Sequence, residues 1–147
     1  MPRPVTPFVG CDVFVTDETG RILLIRRHDD GLWATPGGCQ DLGETPAECA
    51  SRECLEETGF TVAISRLLGV FSSACYEYVH YPWKDNEFTH LLFQGAITSG
   101  GARTSVESTE VAFFPPEALP PLSDGHLPRI EHAFRCLADP SIPPHFE

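Results

Sequence analysis

Gly38-Cys39-Gln40-Asp41-Leu42-Gly43-Glu44-Thr45-Pro46-Ala47-Glu48-Cys49-Ala50-Ser51-Arg52-Glu53-Cys54-Leu55-Glu56-Glu57-Thr58-Gly59-Phe60 contains a helix with both ends marked. Thr45 is an N-cap residue, Pro46 suits the first helical position, and Glu48 completes a capping box with Thr45. Gly59 is the residue type that stops a helix in the left-handed conformation. At about 100° per residue, Ala47, Ala50, Ser51, Cys54 and Thr58 form a stripe of small side chains. Such a stripe lets the helix lie close against a sheet. Glu53, Glu56 and Glu57 fall together on another sector, with Arg52 at its border. Like charges at helical spacing are destabilising, so the cluster gains little as structure. By itself it reads either as a solvated acidic face or as hard oxygen ligands for Mg²⁺ or Mn²⁺.

Outward from this helix the chain alternates strands and turns. Phe8 to Thr16 and Arg21 to Arg27 read as two strands about the turn Asp17-Glu18-Thr19-Gly20, so the opening is expected to be a hairpin. Trp33 to Gly38 reads as a short extended piece breaking into a glycine loop. Beyond the helix, Phe60 to Ile64 and Leu67 to Tyr78 are expected to be extended. Phe88 to Ile97 is a strong strand, Ser99-Gly100-Gly101 a turn, and Glu110 to Phe114 a short strand stopped by Pro115-Pro116. Leu127, Ile130, Phe134 and Leu137 recur at helical spacing and predict a second helix. The proline-rich stretch from about 139 to 147 reads as a tail. No linker or repeat interrupts the 147 residues, which are expected to form one α/β (α+β) domain.

Composition narrows the function. Lys and Arg number 10 against 21 Asp and Glu, a formal net charge of −11. Nucleic-acid polymers are gripped by basic stripes, so they are not expected as partners. An acidic chain suits a site that collects divalent cations and meets anionic substrates through them. No apolar run approaches a membrane span, and Met1 to Pro7 lacks the apolar stretch of a signal peptide. A cytoplasmic protein is the expectation. The six cysteines are scattered without a CxxC pair, so reduced thiols in or near the core are expected, and no zinc site.

Gly38, five residues, Glu44, seven residues, then Arg52-Glu53-Cys54-Leu55-Glu56-Glu57-Thr58-Gly59-Phe60 resembles the Nudix box. The lead-in Trp33 to Gly38 and the later Glu107 to Pro115 look like Nudix hydrolases as well. Two departures are mild: Cys54 stands where Leu is usual, and Asp41 where Glu is frequent. The resemblance implies a Nudix fold, a mixed β-sheet sandwiched between α-helices. It implies a metal-dependent pyrophosphohydrolase that cleaves a nucleoside diphosphate linked to another moiety, with Mg²⁺ or Mn²⁺ as cofactor. By position, Glu53, Glu56 and Glu57 match the metal-binding glutamates, and the Gly37 carbonyl is a further candidate ligand. Arg52 matches the arginine that orients a glutamate. Gly38, Glu44 and Gly59 support the box. For the residue that activates water, Glu53 is the first candidate and Glu107 the nearest loop alternative, with Glu110 and Glu87 behind it.

Substrate contacts are less sharply marked. All three tyrosines lie in Tyr76-Glu77-Tyr78-Val79-His80-Tyr81-Pro82-Trp83-Lys84, together with Trp83 and the sole lysine. Tyr76, Tyr78, Trp83 and Lys84 are candidates for holding base and phosphate, and Arg27 is a further phosphate contact. The competing reading is a twisted hairpin with aromatic cross-strand pairs. The histidines have no ligand spacing, and each is expected to be hydrogen-bonded or exposed. A small nucleotide is the expected partner, and a homodimer stays open. The alternative function is a catalytically weak, Nudix-like nucleotide-sensing module. Its usual mark is a broken box, and this box is whole.

Overall fold

The computed structural model describes residues 5–147; the Met1 to Pro4 part of the opening read above lies outside them. Seven strands and two long helices follow in the order β1 (Phe8–Val15), β2 (Ile22–Arg27), β3 (Trp33–Ala34), β4 (Gly37–Cys39), α1 (Pro46–Thr58), β5 (Phe60–Ser72), β6 (Phe88–Gly100), β7 (Ser108–Phe114) and α2 (His126–Ala138). Four strands form a mixed sheet in the order β4-β1-β6-β5, with β1 and β6 parallel, and three form a second sheet in the order β3-β2-β7. The architecture is mixed α+β, as expected.

The alternation of β1 explains the layers. Successive strand residues face opposite ways. Cys11, Val13 and Val15 pack with Cys49, Ala50 and Cys54 of α1. Phe14, between them, packs with Ile130, Ala133 and Cys136 of α2. The small stripe of α1 thus faces the sheet, with Ala50, Cys54 and Thr58 fully covered and Ala47 and Ser51 half-buried at its margin. Four cysteines lie in these layers while Cys39 and Cys75 are exposed, and all six are unpaired.

Several local expectations are corrected. β1 and β2 are not a hairpin: one bridge, Thr16 to Ile22, links them before they enter different sheets. β1 has both edges filled by β4 and β6, so β2 must find β3 and β7 instead. Gly37 and Gly38 form strand β4 against β1 rather than a loop. The two extended pieces after α1 are one bulged strand that ends at Ser72, and the Ser99-Gly100 turn is the end of β6. The aromatic stretch is no hairpin, since residues 76–87 contain neither helix nor strand. The proline-rich end lies along β5. His145 N–H donates to Leu68 O at 3.0 Å, and Val70 N–H donates to His145 O at 2.8 Å. Among the described residues, no helix is long and apolar enough to cross a membrane.

Candidate active site

α1 carries Arg52, Glu53, Glu56 and Glu57 on a frame capped at both ends. Thr45 accepts from Glu48 N–H at 3.2 Å and Glu48 accepts from Thr45 N–H at 2.8 Å, a reciprocal cap. Side-chain caps of this kind contribute about 1 kcal/mol. At the other end Gly59 takes φ 82°, and a side chain there would collide with Gly101 O.

Arg52 is the organiser of the acidic face. Its guanidinium forks onto Glu44, at 2.9 Å and 2.8 Å, and its Nη1 reaches Glu53 Oε1 at 3.0 Å and Glu56 Oε2 at 3.2 Å. The Arg52 hydrogen bonds hold Glu44 down at about 2, and Glu44 in turn raises Arg52 above its ordinary value. Glu44 Oε1 also accepts Asp41 N–H, which pins the loop before the helix. The support role expected for Glu44 therefore has a geometric basis. Glu56 is turned to Arg52 and is mostly exposed, one guanidinium away from the acidic centre.

That centre is Glu53, Glu57 and Glu107, which each bring one carboxylate oxygen to within 4.8 Å of the others. Glu53 and Glu57 are one helical turn apart. Glu57 is buried, and its Oε1 accepts the Gly37 N–H at 2.8 Å. Burial first, and then the charges of Glu53, Glu107 and Asp12, push Glu57 well above the ordinary carboxylate range, although the Gly37 bond works against this. Glu53 is also raised by burial, with Arg52 opposing. Glu107 arrives from the loop before β7 because Ser108 Oγ donates to Glu57 O at 2.6 Å. Three converging carboxylates, one buried and with a single N–H donor, form an all-oxygen donor set that suits a hard divalent cation.

The close approach of β4 to α1 depends on glycine. A Cβ on Gly37 would collide with Asp12, and one on Gly38 would sit 2.5 Å from the Glu53 carboxylate carbon. Gly38→Ala is expected to displace Glu53 and lower kcat by ~10²-fold, the scale of a misplacement of about 1 Å. Steady-state kinetics with a parallel thermal melt checks this, and wild-type kcat in a folded Gly38→Ala protein would contradict it.

A cleft of about 660 Å³ opens over this centre. Two of the candidate contacts, Arg27 and Trp83, line it, and so does Tyr81, which the sequence reading did not single out. Arg27 is not a free cation. It forks onto Asp29 and lies under the Tyr81 ring, 4.9 Å from its centroid. The other three candidate contacts lie elsewhere. The Tyr76 hydroxyl donates to Glu147, Tyr78 packs beside Gly125, and exposed Lys84 does not line the cleft.

Two buried polar groups were also missed. Arg129 of α2 is 2% exposed and pairs with Asp12 of β1 at 2.6 Å. A lone Asp inside an apolar strand is the signal that a partner was owed. His90 departs from the expectation for histidines: it is buried and neither ring nitrogen has a hydrogen-bond partner. Burial, with Arg129 adding to it, drives its pKa down to about 2, so it is neutral at pH 7.

The chain belongs to the Nudix family: the family model for the NUDIX domain matches residues 6–134. A MutT-like protein of Streptomyces ambofaciens is 39% identical over 105 residues, 71% of this chain and 62% of that protein. An ADP-ribose pyrophosphatase of Methanocaldococcus jannaschii is 32% identical over 125 residues, 82% of this chain and 69% of that one. A crystal structure of a UDP-X diphosphatase shares the fold, with a TM-score of 0.85 at 24% identity over 99% of this chain and 70% of that chain. The match to a further relative, YjhB of Bacillus subtilis, spans about half of that protein, 48% of its length.

Proposed function

We propose that the chain is a divalent-metal-dependent pyrophosphohydrolase acting on a nucleoside diphosphate linked to another moiety. The observation that carries this is the convergence of Glu53, Glu57 and Glu107 on the floor of a cleft walled by Arg27 and Tyr81. Relatives named for pyrophosphatase activity support the same reading. Glu53, Glu57 and Glu107 would hold Mg²⁺ or Mn²⁺, with Glu56 and the Gly37 carbonyl at the margin. When bound, such a cation neutralises phosphate charge and acidifies water.

The chain's own groups then have separable tasks. Gly37 N–H and the Ser108 bond fix Glu57, while Arg52 holds one oxygen of Glu53, which lines the cleft. Glu53, raised in pKa by burial, is the first candidate to take the proton from the attacking water. Glu107, on the loop before β7 rather than on a helix, positions rather than abstracts. Arg27, preset by Asp29, meets the substrate's phosphate or base through its exposed edge.

A panel of nucleotides with Mg²⁺, Mn²⁺ or EDTA tests the function, with products separated chromatographically. Turnover is expected to vanish in EDTA and return with metal; full turnover in excess EDTA would overturn the reading. Glu53→Gln is expected to lower kcat by ~10²–10⁴ with incomplete rescue by Mg²⁺, the range for a lost general base. Glu107→Gln should cost ~10-fold. A Mg²⁺ titration of both variants decides it: if Glu107→Gln is the deader enzyme and metal does not revive it, the base moves to the loop. Binding of nucleotides without turnover would favour the sensing module instead.

A further inference from the structure

The wall opposite the acidic centre comes from residues 76–87, through Tyr81, Pro82 and Trp83. This segment has no helix or strand to hold its backbone. Among the described residues, every hydrogen bond from residues 77–86 to the rest of the chain ends on one carboxylate, that of Asp124. Asp124 Oδ2 accepts three consecutive backbone N–H groups: Val79 at 2.8 Å, His80 at 2.6 Å and Tyr81 at 3.0 Å. Its other oxygen lies 3.5 Å from His80 Nδ1. Charge-assisted bonds to an ionised acceptor are roughly twice as strong as neutral ones. Asp124 itself stands before α2 and does not line the cleft.

What this latch orients is the Tyr81 ring. One contact is the Arg27 guanidinium at 4.9 Å; the others are Phe88 at 5.9 Å, edge-on, and Tyr78 at 5.8 Å. Arg27 is itself held by a forked bond to Asp29, so both members of the pair are anchored. A guanidinium placed over a phenol ring at a cleft wall makes a polarisable surface suited to a planar nucleobase.

We infer that Asp124 is a positioning residue for substrate: by gathering the Val79 to Tyr81 backbone, it holds Tyr81 on Arg27 and so builds the face that receives the base of a nucleoside diphosphate. The inference rests on the hydrolase reading for its substrate class. It assigns Asp124 to binding and not to the chemical step, because Asp124 is not among the residues that line the cleft or form the acidic centre.

The test compares Asp124→Ala, Asp124→Asn, Tyr81→Leu and the double variant Asp124→Ala/Tyr81→Leu. Kinetics with the best substrate of the panel are run beside calorimetric affinity for ADP-ribose in EDTA. Asp124→Ala is expected to raise KM ~10-fold with kcat within ~3-fold, the signature of lost uniform binding. Asp124→Asn keeps a side-chain oxygen for the three N–H groups and should stay within ~3-fold of wild type in KM, since hydrogen bonds to a neutral acceptor are weakened but retained. Tyr81→Leu should raise KM by a similar factor, and the double variant should add little to it, because residues acting through one another are not additive. Unchanged KM in Asp124→Ala or in Tyr81→Leu, a fall in kcat at constant KM, or additive effects would overturn the inference. If Asp124→Ala does not fold, Tyr81→Leu decides alone. A wild type that binds ADP-ribose but hydrolyses nothing would overturn the hydrolase reading, and the calorimetric series would still decide the role of Asp124.

Discussion

Glu57→Gln is expected to lower turnover by ~10³-fold while raising the Tm of the metal-free protein, a pairing that separates function from folding. Glu57 is buried among the charges of Glu53, Glu107 and Asp12, with one N–H donor from Gly37. Without a cation, that carboxylate is a cost to the fold. Gln keeps an oxygen for the Gly37 bond and removes the charge. The sign with pH follows from linkage. The folded-state pKa of Glu57 lies above its unfolded value, so the folded state retains a proton that the unfolded chain has already lost. The Glu57 contribution to stability is therefore fully present below the unfolded pKa and is lost as pH rises through the folded one. In EDTA, wild type should lose stability over that interval, and the Glu57→Gln protein should lose less. Added Mg²⁺ or Mn²⁺ should raise the wild-type Tm at neutral pH, by mass action, and raise that of the variant far less. Differential scanning fluorimetry across pH, with and without metal, reads all of this. A variant that melts lower than wild type in EDTA at neutral pH would show that Glu57 holds the fold together rather than the cation.

Arg129→Met is expected to be the most damaging change for stability, at ~3–5 kcal/mol, the scale for removing one partner of a buried ion pair. Arg129 and Asp12 are 2% and 9% exposed at the side chain and meet at 2.6 Å. Thr35 Oγ1 adds a bond to Asp12 Oδ2 at 3.1 Å, and Arg129 Nε donates to Gly125 O at 3.1 Å. Met fills similar volume without charge and leaves the Asp12 carboxylate uncompensated. Asp12→Asn/Arg129→Met should recover part of the loss, since removing both charges leaves no orphan. Urea denaturation of the single and double variants measures the cycle. A cost below ~1 kcal/mol for Arg129→Met would mean that the pair is worth no more than a surface bridge. Activity should fall with stability here, because Asp12 pairs in register with Gly37, whose N–H steadies Glu57.

The α1 helix was legible residue by residue. Its capping box, its proline at the start and its glycine stop involve partners within about one turn, and its small stripe shows as helical periodicity, so the signals that form it are visible in local sequence. The same holds for the spacing of Glu53 and Glu57 and for Arg52 beside them. Strand positions were mostly legible too, but strand partners were not. β1 and β2 look like a hairpin across a good turn, yet pairing in a sheet depends on which distant edges compete for each strand. β1 pairs with β6, some 80 residues on, residue for residue from Phe8 with Phe88 to Val15 with Gly95.

The amino-acid sequence by itself determined a capped acidic helix, the family it belongs to and the kind of ion its carboxylates suit. Tertiary structure alone decided which acids meet. Glu56 lies next to Glu57 in the chain but turns to Arg52, while Glu107 joins the centre through the Ser108 bond to Glu57 O, a contact 51 residues apart. Tertiary structure also decided that Tyr81, and not Tyr76 or Tyr78, faces the cleft, and that Asp12 finds Arg129 across 117 residues. The physical reason is range. Caps and helical periodicity act over four residues and leave a local signature, whereas convergence of side chains from separate elements depends on sheet register and layer packing, which only the closed core imposes.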